Sequence, residues 1–137
     1  KTLRLLDGII DIYMPDFKYI SHKSGRLYSK VEDYPERAKS ALIEMNRQVG
    51  GIKIDKRGLV YKGLMIRHLV MPGGFSETKG VLDFIKKNLS EDVLVNIMGQ
   101  YYPAYRAFDY PEIAKRLDRD EFQKAYEYGK SLGLSLC

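Results

Sequence analysis

The sequence predicts an α/β fold built from parallel β/α repeats, and three observations carry that prediction. Short apolar runs rich in β-branched residues alternate with stretches of helical periodicity. Strand, helix, strand, helix, strand, helix at this spacing implies a parallel sheet with right-handed crossovers. The third observation is length. The chain has 137 residues, 45% of them hydrophobic and 30% charged, enough for one globular domain with a real core. A complete (β/α)8 barrel takes roughly 250 residues. Three core strands in a chain of this size therefore amount to about half a barrel.

Thr2–Leu6 reads as the end of a helix, closed by Asp7-Gly8. Ile9–Met14 is the first strand, and Pro15 stops it because proline has no backbone donor. A polar loop with His22, Ser24 and Gly25 follows, with a short helix around Gly25 to Val31. Asp33-Tyr34-Pro35-Glu36 opens a second helix, since proline suits a first turn and acids complement the dipole. Ala38, Ala41, Leu42, Met45 and Val49 form its apolar stripe, and Gly50-Gly51 ends it.

Ile52-Lys53-Ile54 and Leu59-Val60-Tyr61 flank Asp55-Lys56-Arg57-Gly58, which predicts an inserted β-hairpin. After Gly63, Leu64 to Met71 is the second core strand, broken by Pro72-Gly73-Gly74. Ser76 is read as the N-cap of a helix that buries Val81, Leu82, Ile85 and Leu89. Val93–Met98 is the third strand, and Tyr101 to Tyr105 an aromatic loop. Pro111 to Leu117 is read as a short helix. Asp118 caps the last helix, with Glu121 as its capping-box partner, and Gly133 stops it.

The formal charge is +5, with acids and bases interleaved along helices, which is a solvated surface and no nucleic-acid footprint. No apolar run approaches the roughly 20 residues that span a bilayer, and the first residues carry no signal-peptide pattern, so a cytoplasmic setting is expected and no membrane partner. The one cysteine, Cys137, excludes a disulfide framework and any Cys-rich metal site within these residues. His22 and His68 lie too far apart to make a metal motif.

Asp16 and Lys18 stand just past the first strand, where ligand groups gather in parallel α/β proteins. Period two puts Met65, Arg67, Leu69 and Met71 on one face of the second strand and Leu64, Ile66, His68 and Val70 on the other. An arginine among apolar residues needs an anion, either a core carboxylate or a ligand's. His68 is read as a core histidine packed under a helix, and Phe17 as pointing back into the core.

Asp16-Phe17-Lys18, then Met65 to Gly74 with its arginine and Pro-Gly end, then Met98-Gly99-Gln100-Tyr101-Tyr102-Pro103, resemble in order and spacing the pyruvate formate-lyase activating enzyme-like proteins. These activate glycyl radical enzymes and belong to the radical S-adenosylmethionine (SAM) superfamily. The resemblance implies the C-terminal part of a (β/α)6–8, TIM-like partial barrel. It implies SAM and a [4Fe–4S] cluster as cofactors of the full-length protein, and a glycyl radical enzyme as protein substrate. By the same resemblance Arg67, Asp16 and Lys18 hold SAM, the Met14 carbonyl joins Asp16, and Gln100 and Tyr101 lie near the adenosine. The superfamily's Cys-x3-Cys-x2-Cys loop is missing here, so no cofactor and no metal are expected on this stretch alone. The tyrosines of the aromatic loop face either a substrate mouth or the core edge, and this sequence lacks the histidine of the family pattern there. Two other readings stand beside this one: a non-catalytic partner-binding α/β module, and another TIM-barrel enzyme using Asp16 and Lys18. A half barrel also predicts an open face with Met65, Leu69, Met71 and Phe17, covered by further strands or by a homo-oligomer.

Overall fold

The computed structural model describes residues 2–137. Its sheet runs β1 (Ile12–Tyr13), β3 (Val60–Leu69), β4 (Leu94–Met98), β5 (Ser135–Leu136), each parallel to its neighbour. The short β2 (Lys53–Ile54) pairs antiparallel with β3. Among the described residues there are four α-helices: α1 (His22–Ser29), α2 (Tyr34–Val49), α3 (Phe75–Asn88) and α4 (Arg119–Ser131).

The strand order follows the chain order, and one core takes side chains from three helices. Leu42 and Val49 of α2, Val81, Leu82 and Ile85 of α3, and Ala125 of α4 pack on Leu64, Ile66, Val70, Val95 and Ile97. All three helices therefore cover the same face of the sheet. A doubly wound sheet reverses its strand order and carries helices on both faces. A sheet that grows in one direction with same-handed crossovers places them on one. Each core aliphatic side chain contributes about 1.5–3 kcal/mol by leaving water. The opposite face is open: Ile12 is 44% and Met14 53% exposed, and Met65, Leu69, Leu94 and Met98 are only half-buried.

Most elements stand where the sequence puts them, with seven corrections. The first strand is shorter than Ile9–Met14, because Ile9 lies in a turn after a 3-10 helix over Thr2–Leu6 and is 67% exposed. Pro15 does not end its pairing. Its carbonyl accepts from Arg67 N at 2.9 Å and Phe17 N donates to Arg67 O at 2.9 Å, so the proline deletes a donor while the ladder continues. The hairpin's second arm and the next strand are one ten-residue strand. Gly63 joins them at φ 133, with Gly51 O 2.6 Å from where its Cβ would stand. α1 starts at His22 rather than near Gly25, because Ser21 caps it. Gly74, not Ser76, is the N-cap of α3. Pro111 to Leu117 forms turns and no helix. Finally, β5 is a fourth parallel strand where three were expected.

Phe17 is fully buried on the helix side, so the core reading holds and its place on the open face does not. The hairpin and the Asp118–Glu121 capping box are present as read. Among the described residues no helix is long and apolar enough to cross a membrane.

Candidate functional site

Strand register brings the polar residues of the open face into one row. Asp16 pairs with Arg67 across an isolated parallel bridge, and Arg67 pairs with Asn96 on β4. Parallel neighbours in register point to the same face, so Asp16, Arg67 and Asn96 stand side by side. Continuing the register puts Met14, Met65 and Leu94 in the row below, toward the N-terminal ends. Lys18, Leu69 and Met98 lie in the row above.

Arg67 Nε donates to Asp16 Oδ1 at 2.8 Å, and each side chain is 38% exposed. The arginine's anionic partner is thus an internal carboxylate, and that carboxylate is itself one of the expected site residues. The pair is neutral as a unit, half in water, and among the described residues the guanidinium nitrogens beyond Nε make no hydrogen bond. Those remaining donors form a fork that suits a second carboxylate.

Lys18 is exposed, and its backbone N donates to Tyr34 Oη at 2.9 Å. It does not join the Asp16–Arg67 pair. It lines a cleft of about 270 Å³ beyond the strand ends, between α1, Pro72-Gly73-Gly74 and the first turn of α3. Tyr19, Tyr28, Leu69, Met71 and Ile113 give that cleft an apolar floor. Met14 is exposed on the open face, and Gln100 is exposed beyond β4. Tyr101 is half-buried and donates its hydroxyl to Ile113 O at 2.8 Å, which ties the aromatic loop to the following turn. Tyr102 and Tyr105 are 63% and 89% exposed, so these two do not fill the core edge. Among the described residues no group of three His, Cys, Asp or Glu side chains could hold a metal ion.

Two residues under the site organise it. His68 is 1% exposed. Its Nδ1 lies 2.8 Å from Phe17 O, and a carbonyl only accepts, so Nδ1 carries the proton. Nε2 then accepts from the Thr78 hydroxyl at 2.8 Å. Burial holds the His68 pKa below its usual value, with the Phe17 bond and Glu77 opposing. This matches the reading of His68 as a core residue.

Glu77, in the first turn of α3, was not singled out in the sequence. Its Oε2 accepts from Ile20 N at 2.6 Å and Ser21 N at 3.1 Å. Its Oε1 accepts from Ser24 Oγ at 2.7 Å and from Ser21 Oγ. Partial burial pushes its pKa up, but these hydrogen bonds outweigh burial and hold the carboxyl below its ordinary value. The partners lie more than fifty positions upstream, so local patterns carry no sign of the contact.

No family model and no solved structure matches this sequence. Among curated proteins, it is similar to "Uncharacterized protein MJ0674" of Methanocaldococcus jannaschii, at 37% identity over 135 residues. That match covers 98% of this chain and 36% of the relative. The chain thus spans about a third of the length of the curated relative it matches.

Proposed function

We propose that this chain is the C-terminal part of a radical SAM barrel, related to glycyl radical enzyme activating enzymes, and that Asp16, Arg67 and Lys18 hold SAM. The observation that carries the reading is the Asp16–Arg67 pair on the open face, at the C-terminal ends of adjacent parallel strands. An open face opposite a one-sided helix layer supports the partial (β/α)6–8 barrel. A longer relative supports a longer polypeptide that would close it.

Of the two cofactors this reading implies, SAM fits the residues present. Arg67 keeps donors for the methionyl carboxylate while Asp16 holds its orientation. Lys18 adds a point charge from the cleft side. Asp16 is also available to a hydroxyl or to the ammonium group, and Gln100 and Tyr101 stand beyond β4 for the adenosine. The cluster does not fit this stretch. A [4Fe–4S] cluster needs several thiolates, and Cys137 is the one cysteine of the sequence. The reading therefore assigns the cluster to the rest of the longer polypeptide. When both are bound, the superfamily's chemistry is reductive cleavage of SAM to a 5′-deoxyadenosyl radical, which takes a hydrogen atom from a glycine of the partner enzyme.

Equilibrium dialysis of SAM against the longer protein tests this. Arg67→Ala should weaken binding about tenfold or more, the effect of losing a charged hydrogen bond of roughly 1.5–3 kcal/mol. Unchanged binding in that variant would remove Arg67 from the site.

A further inference from the structure

The same device recurs at the third residue of three successive helices. Glu36, third in α2, places Oε1 2.9 Å from His22 Nε2 at the start of α1. Glu77, third in α3, takes the four hydrogen bonds from Ile20, Ser21 and Ser24. Glu121, third in α4, accepts from Gly73 N at 2.7 Å and, more weakly, from Asp118 N at 3.4 Å. Each glutamate reaches back to an earlier part of the chain: Glu36 to the start of α1, Glu77 to the loop and first turn that open α1, and Glu121 to the loop before α3. A carboxylate in a first turn is stabilised by the helix dipole. Glu36 and Glu77 belong to helices without a side-chain cap bond, so their oxygens are free to reach outward.

We propose that these glutamates are positioning residues that register the loops carrying the site, and that Glu77 sets where Lys18 stands. The second half rests on the reading of Lys18 as a SAM residue. Segment 17–24 is gripped at both ends by adjacent residues of α3. Thr78 acts through His68 on Phe17 O, and Glu77 acts directly on Ile20, Ser21 and Ser24. Lys18 and Tyr19 lie between the two grips. Among the described residues the Lys18 ammonium has no hydrogen-bond or ion-pair partner, so its place is fixed by its backbone. Glu121 does the same for Gly73, on the opposite wall of the cleft.

A double-mutant cycle on SAM binding by the full-length protein tests the link. Lys18→Ala and Glu77→Ala should each weaken binding about tenfold, some 1.4 kcal/mol. The double variant should bind within about twofold of Lys18→Ala, because Glu77 acts through that lysine. Losses that multiply would overturn the proposal, since they would mean that Glu77 acts through general stability. Glu77→Gln keeps an acceptor for the two backbone amides and should recover most of the binding. Hydrogen exchange separates this from the SAM reading. Glu77→Ala should release the Ile20 and Ser21 amides about tenfold or more while Val95 and Ile97 stay protected. Unchanged protection at Ile20 and Ser21 would overturn the positioning role. A wild-type protein that does not bind SAM would remove the Lys18 assignment, while the exchange result would still decide whether Glu77 holds the loop.

Discussion

Arg67 Nε donates to Asp16 Oδ1 across 2.8 Å, joining two strand ends that lie 51 positions apart in the chain. Both side chains are 38% exposed, which separates what the pair does for stability from what it offers a ligand. A half-exposed ion pair contributes about 0–1 kcal/mol. Its neighbour His68 is buried and bonded at both ring nitrogens. Arg67→Ala should therefore cost less than about 1 kcal/mol in urea denaturation. His68→Ala should cost about 2–4 kcal/mol, because it leaves a cavity and two buried groups without partners. The reverse order would mean that the two faces of β3 are exchanged, as a one-residue slip in register does.

The pH dependence of stability should carry the mark of His68. Burial depresses its folded pKa below the ordinary histidine value of about 6.5, so the folded state resists protonation where the unfolded state accepts it. The unfolded chain then binds more protons, and stability falls as pH drops below about 6.5, with a slope approaching 1.4 kcal/mol per pH unit. Above the unfolded pKa both states are neutral and the contribution is complete. Glu77, whose folded pKa is also lowered, loses its contribution only as pH falls through the carboxylate range. Denaturation midpoints at pH 7.5 and 5.5 should differ in the wild type and converge in His68→Gln. Equal slopes in the two proteins would assign the effect elsewhere.

Two glycines with positive φ should respond differently to alanine. Gly58, at φ 82 in the hairpin turn, has open space around its would-be Cβ. Gly58→Ala should cost about 1–2 kcal/mol from backbone strain alone. Gly63, at φ 133, would set a Cβ 2.6 Å from Gly51 O and 2.7 Å from Ile52 Cα. Gly63→Ala should cost clearly more, with a lower thermal midpoint than Gly58→Ala. Equal midpoints would mean that the Gly51–Ile52 backbone moves aside freely.

The open face predicts self-association of these 137 residues on their own. Exposed Ile12 and Met14, with half-buried Met65, Leu69 and Met98, form an apolar surface beside the unpaired edge of β1. Sedimentation velocity should show concentration-dependent association. Ile12→Thr with Met14→Gln should reduce it while changing stability by no more than about 0.5 kcal/mol. A monomer at every concentration would argue against a face built to be covered.

The sequence made the repeat legible because its signals are local. Alternation along Leu64 to Met71 separated Arg67 from His68, and Asp118 with Glu121 marked a helix start that the structure reproduces. What it hid depends on distance or brevity. The two residues of β5 are too few to show a period, and their strand character comes from pairing with Leu94 and Val95. Ser76 carries the residue type of a cap, but the turn at Gly73 and Gly74 starts the helix two residues earlier. Asn96 joins the polar row only through its register with Arg67. Pro111 to Leu117 had a helix-start proline but forms turns, with Ile113 O taken by Tyr101 Oη.

The most direct test of the account is the fate of SAM in the longer protein, prepared without oxygen, loaded with iron and sulfide, and reduced. The account predicts 5′-deoxyadenosine and methionine in equal amounts by chromatography, with the yield lowered about tenfold or more by Arg67→Ala. A protein that binds no iron–sulfur cluster, or one that carries the cluster and leaves SAM intact, would contradict it.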